Sequence, residues 1–120
     1  MVDDERDTNL TIKTALEDGG DFKVDRFNNA ESALMAFKPD HYDLAILEVR
    51  MPGTNGFQLC RKLREIDKKL KICFLSASDL TNFQEIDLDI IIEFGADGFF
   101  VKPVKTADLI NRLKVMISPA

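Results

Sequence analysis

At 120 residues, with 45% apolar and 31% charged side chains, the chain suits one soluble domain with a real hydrophobic core. Its 16 basic against 21 acidic residues leave a net charge of −5, which speaks against direct contact with nucleic acid. No apolar run approaches the roughly 20 residues of a membrane helix and no signal peptide is visible, so no membrane association and a cytoplasmic location are expected.

In chain order, short apolar runs alternate with amphipathic segments, the pattern of βα units around a parallel sheet. Met1-Val2 runs into Asp3-Asp4 as a first strand. Thr8 or Asn9 is expected to cap a first helix with Ile12, Ala15 and Leu16 on its inner face, ended by Gly19-Gly20. Phe22 to Phe27 reads as an outer strand. Asn28 or Asn29 then caps a second helix, with Ala33, Leu34 and Phe37 inward and a stop before Pro39. Leu44 to Leu47 is apolar without alternation, as expected of a parallel strand covered on both faces.

Asn55-Gly56 opens a third helix striped by Leu59, Cys60, Leu63 and Ile66, and Ile72 to Leu75 is another buried strand. A fourth helix is expected over about residues 82–94, before Gly95, with Ile86, Ile90, Ile91 and Phe94 inward. Gly98 to Val101 forms a fifth strand. Thr106 caps a last helix with Leu109, Ile110, Leu113 and Ile117 on one side. Five strands and five helices joined by right-handed crossovers make a doubly wound α/β sandwich over residues 1–117, followed by a tail at 118–120. Cys60 and Cys73 are read as buried thiols, and the single His41 as a surface residue.

One element is short. Only Met1 and Val2 precede Asp3, whereas a central strand usually has about five or six residues. A first strand truncated in this way predicts a half-empty slot in the sheet, with reduced stability or a partner chain filling it.

The strand ends carry the chemistry. Open parallel sheets bind ligands at the carboxyl ends of their strands. Here those ends are Asp3-Asp4, Glu48, Ser76 and Lys102-Pro103. Acids beside one lysine suit a divalent cation and a phosphoryl group. Each has a plainer reading: a solvated turn for Asp3-Asp4-Glu5, a loop hydroxyl for Ser76 and a surface amine for Lys102. No glycine-rich phosphate loop, Ser-His-Asp set or paired catalytic cysteine is present, which disfavours a small α/β enzyme or flavin carrier; no enzymatic activity is expected.

The stretches VDDE (2–5), YDLAILEVRMPGTNGFQLCRKLRE (42–65), FLSASD (74–79) and GADGFFVKPV (95–104) resemble the receiver domain of two-component response regulators. The resemblance runs from Met1 to about Ile117 and implies a flavodoxin-like sheet of order 2-1-3-4-5. It also implies that Asp4 binds Mg²⁺ directly, Asp3 acts through water and the backbone carbonyl of Arg50 completes the protein ligands, with Glu48 at the same site. Ser76 matches the hydroxyl and Lys102 the ammonium that hold phosphoryl oxygens. Pro103 matches a proline whose preceding bond is typically cis. Phe99 matches the aromatic switch residue that moves with Ser76.

Glu48 departs from the family pattern, standing where the phosphoacceptor is an aspartate. One extra methylene displaces the carboxylate by more than an ångström, enough to cost on the order of 10²-fold in rate. The expected form is therefore phosphomimetic or phosphorylation-deficient, with Mg²⁺ binding weakened. Natural divergence, a deliberate mimic and a rare glutamyl acceptor remain open, and so does a pseudo-receiver scaffold without a phosphate cycle. By resemblance the partners are a sensor histidine kinase or phosphotransfer protein and a downstream effector or output domain. The output face would be the fourth helix, fifth strand and fifth helix. Leu88 and Ile92 suggest a partner or homodimer surface.

Overall fold

The computed structural model describes residues 1–20, 22–49, 51, 53, 55–76, 93, 95–101 and 104–117, with only the backbone described for 6–9 and 101. The expected fourth helix at about 82–94, including Ile86, Leu88, Ile90, Ile91, Ile92 and Phe94, lies outside the described residues apart from Glu93. The tail at 118–120 lies outside them as well.

Three strands form the described sheet: β1 (Leu44–Glu48), β2 (Lys71–Ser76) and β3 (Gly98–Val101), in the order β1-β2-β3 and all parallel. Four helices pack on it: α1 (Arg6–Asp18), α2 (Ala30–Ala36), α3 (Gly56–Ile66) and α4 (Thr106–Ile117). In register, Leu47 pairs with Phe74 and Phe74 with Phe99. Alternation along each strand divides the core in two. Leu47, Ile72 and Phe74 face one way, with Ala33, Leu59 and Leu63. Ile46, Cys73 and Leu75 face the other way, with Ile12, Leu16, Leu109 and Leu113. Burying both faces is why these strands are apolar without alternation.

Two expected strands are replaced by single bridges. Val2 bridges Phe27 on one side and Leu47 on the other, both parallel, and neither 1–3 nor 22–27 extends into a named strand. The cause is reciprocal. Phe27 donates to the Met1 carbonyl at 2.8 Å and Asp3 donates to the Phe27 carbonyl at 3.1 Å, while among the described residues no ladder extends along Lys23 and Val24. Val24 is instead held from the α1 side, donating to Glu17 at 3.0 Å while Lys13 donates to its carbonyl at 2.6 Å.

Helix ends also differ from expectation. The first helix starts at Arg6, not after Thr8 or Asn9, because Asp3 Oδ1 accepts the Glu5 N–H at 2.9 Å and begins the turn early. Asn29 caps α2 by accepting the Ser32 N–H. A reciprocal capping box of Asn55 and Gln58 opens α3. Ile66, expected on the inner stripe of α3, is 44% exposed, since the helix ends there and the chain turns at Asp67. Thr106 is the first residue of α4 instead of lying ahead of it, and Met116 joins Leu109 and Leu113 as its buried residues.

Candidate functional site

The bridge at Val2 determines what lies at the carboxyl rim of the sheet. Val2 donates to the Ile46 carbonyl at 2.8 Å and accepts from the Glu48 N–H at 2.9 Å. With Val2 opposite Leu47, the next residues along, Asp3 and Glu48, stand side by side on adjacent chains. Both are buried, Asp3 at 0% and Glu48 at 3% exposure. Carboxylates withdrawn from water require positive charge or hydrogen-bond donors close by. One such donor is the Glu5 N–H on Asp3.

Ser76 ends β2, one strand further across, and is 1% exposed. Its Oγ has no hydrogen-bond partner among the described residues. A buried hydroxyl left open in this way is a position that a ligand or water oxygen can satisfy. The sheet therefore gathers Asp3, Glu48 and Ser76 at one rim. Phe99 lies on β3 opposite Phe74, two residues before the level of Ser76, and packs half-buried on the α2–α3 side of the core.

Other expected members do not join this group. Asp4 is exposed on the turn before α1. Among the described residues no group of three His, Cys, Asp or Glu side chains is arranged to hold a metal ion. The chemistry of the Asp3 and Glu48 carboxylates still suits Mg²⁺, which takes one or two carboxylates and completes its octahedron with water and phosphate oxygens. Lys102, Pro103 and Arg50 lie outside the described residues.

Sequence reasoning missed the role of Gly56. Its N–H donates to the Val49 carbonyl at 2.9 Å, and a Cβ at this position would run into the backbone carbonyl of Glu48. The N-terminus of α3 thus rests directly on the peptide that positions the Glu48 side chain. The signal was present in Asn55-Gly56, which sequence alone explains equally well as helix-cap chemistry.

The two thiols are both free and buried. Burial pushes Cys73 up to about 12 and raises Cys60 in the same direction, so neither is a nucleophile at neutral pH. His41 is exposed and stands edge-on to the Tyr42 ring. No helix among the described residues is long and apolar enough to cross a membrane.

Comparisons with known proteins agree with this arrangement. The response regulator receiver domain family matches residues 1–114. The transcriptional regulatory protein PcoR of Escherichia coli is 32% identical over 120 residues, covering 100% of this chain and 51% of its own. The transcriptional regulatory protein ResD of Bacillus subtilis is 30% identical, covering 100% of this chain and 48% of its own. The chain thus spans about half the length of the curated relatives it matches. Among solved structures, the non-phosphorylated HemR receiver domain of Leptospira biflexa superposes with a TM-score of 0.86 at 28% identity, covering 99% of this chain and 92% of that one. A CheY-like receiver domain protein of Methanospirillum hungatei gives a TM-score of 0.85 at 22% identity over 97% of this chain and 89% of its own, a likeness of fold. The family model and the relatives agree with the fold, and the chain belongs to the response regulator receiver domain family.

Proposed function

We propose that this receiver domain carries Glu48 at the position where the family's phosphoacceptor aspartate stands, and that it signals in a phosphomimetic or phosphorylation-deficient form. The observation that carries the reading is the placement of Glu48: last residue of β1, buried, beside Asp3 and one strand from the open Ser76 hydroxyl. Glutamate in that pocket supplies one fixed negative charge where a phosphoryl group brings about −1.5 to −2.

Asp4 would bind Mg²⁺ directly and Asp3 through water, beside Glu48 and with the Arg50 carbonyl completing the set. When bound, the ion neutralises phosphoryl oxygens. Ser76 and Lys102 would hold the oxygens that the ion leaves, and Phe99 would follow Ser76 as the switch residue. The five-stranded order 2-1-3-4-5 is supported by the bridges of Val2 to Phe27 and Leu47. Upstream, a sensor histidine kinase or phosphotransfer protein is the implied partner. Downstream, an effector or output domain would read the face that includes β3 and α4. The module itself is a switch, without enzymatic output.

The test is phosphoryl transfer from a small acyl-phosphate donor with Mg²⁺, read by intact mass. The unaltered chain should stay unlabelled and Glu48→Asp should gain one phosphoryl group. Labelling of neither favours a pseudo-receiver scaffold, and labelling of the unaltered chain at Glu48 defeats the proposal.

A further inference from the structure

Charge is unevenly placed along the chain. Six of its 16 basic residues but only two of its 21 acidic ones fall within residues 61–71, a net of +4. The rest keeps ten basic against 19 acidic residues, or −9. The positive stretch is the second half of α3 and the turn into β2, at the amino ends of the strands and so at the rim away from Asp3 and Glu48.

The acids at this rim are largely engaged. Asp67 is buried and accepts from the Lys69 N–H and the Asp40 N–H, both at 3.0 Å. Asp97 accepts from Arg64 at 3.3 Å and from the Ile72 N–H at 2.9 Å. The bond from Asp40 to Asp67 draws in the turn before β1, where Lys38 stands against Asp40 and Asp43. Lys62, Lys68 and Lys69 are exposed and form no ion pair among the described residues. Glu65 is the one exposed acid within 61–71. The C-terminal end of α3 offers roughly half a negative charge, too little to balance three ammonium groups. Ile66 lies among them, 44% exposed, one helical turn from Lys62 on the same face and three residues before Lys69.

We propose that this rim docks an acidic segment of a partner protein, with carboxylates on Lys62, Lys68 and Lys69 and an apolar side chain on Ile66. The patch selects that occupant. An apolar residue ringed by charge has the layout of a protein contact, with a dry centre and a polar edge. A phosphate backbone offers nothing to Ile66. The −9 carried elsewhere repels an extended polyanion, whereas a short acidic segment meets only the positive stretch. A second copy docked by two-fold symmetry would bring the same lysines face to face. Exposed ion pairs add little affinity each. The lysines therefore steer and orient the segment, in a way that salt weakens, and Ile66 supplies the desolvated centre.

The test is binding of a labelled, acetylated and amidated peptide of glutamates with one central leucine, followed by fluorescence anisotropy and by amide shifts. Saturable binding at low salt is expected, with shifts confined to residues 61–71 and the adjoining 38–43 turn. Affinity should fall by roughly tenfold or more at physiological salt. Lys62→Glu with Lys69→Glu should weaken binding by at least about tenfold. Lys105→Glu with Arg112→Glu, an equal charge change on α4, should alter it by less than about twofold. Serine in place of the peptide's leucine should cost about fivefold or more. No saturable binding would overturn the proposal, and so would equal loss in the two double variants, since net charge alone would then explain it. Tighter binding of a DNA duplex through Lys62 and Lys69 would overturn it in favour of nucleic acid, and self-association of the unaltered chain through the same lysines in favour of a second copy.

Discussion

The N–H of Glu48 donates to the carbonyl of Val2 at 2.9 Å, and this bond couples the two ends of the central chain. On one side of it Asp3 and Glu48 share the acidic rim; on the other the Met1 nitrogen donates to the Asp25 carbonyl at 2.8 Å. A site at the carboxyl end of the sheet thus depends on a strand held by one bridge on each flank.

Glu48 is also fixed from the α3 side, and Gly56→Ala should show it. A methyl group there meets the Glu48 carbonyl, so β1 and α3 must separate. A loss of about 1–3 kcal/mol is expected from overpacking, read by urea unfolding. A change of less than about 0.5 kcal/mol would mean that the two elements part easily.

The Met1 ammonium makes stability depend on pH. Desolvation pushes it down to about 6 from its ordinary 8.0, opposed by Asp25 and aided by Lys13. Between these values the unfolded chain holds a proton that the folded chain has lost, so stability should rise with pH from 6 to 8. Below that window both states are protonated and the penalty is constant; above it both are neutral. Asp25, Lys13, Lys23, His41 and Asp43 surround the group, so N-acetylated protein, which keeps them all, is the control. The expected result is a slope lost on acetylation.

Cys73 should resist thiol reagents in the folded protein. Its thiol is 0% exposed and pushed up to about 12 by burial, leaving almost no thiolate at pH 8. Labelling should follow the unfolding equilibrium measured by denaturant. Rapid labelling of native protein at Cys73 would contradict the packing between β2 and α4.

Removing the Asn55 cap should cost about 1 kcal/mol. Asn55→Ala deletes the acceptor for the Gln58 N–H and leaves only the backbone N–H of residue 55 donating to the Gln58 side chain. Asn55→Ser should recover most of the loss, because a hydroxyl can accept the same bond. Equal stability of all three proteins would show that packing of Leu59 and Leu63 alone fixes the start of α3.

Much of this was legible in the sequence, for identifiable reasons. Leu44–Glu48 and Lys71–Ser76 announced themselves because strands buried on both faces need unbroken apolar runs. Asn29 and Asn55 were legible because caps use local chemistry. Residues 22–27 misled because their composition suits a strand, whereas forming one needs a neighbour that propensity does not register. The start of α1 misled because the Asp3 side chain, assigned to the acidic site, also organises the turn. At the site, the gathering of Asp3, Glu48 and Ser76 followed from strand ends alone. The contact between Gly56 and Glu48 did not, because close backbone approach leaves no trace in residue type beyond the glycine itself.

The most direct test of the pocket adds Asp3→Asn to the Glu48→Asp protein and measures Mg²⁺-dependent labelling by an acyl-phosphate donor. The account predicts that Glu48→Asp alone takes up one phosphoryl group, at residue 48, and that the added Asp3→Asn cuts the rate by at least about tenfold while melting remains cooperative. Equal labelling of the two variants would contradict it, because Asp3 and residue 48 would then not share a site.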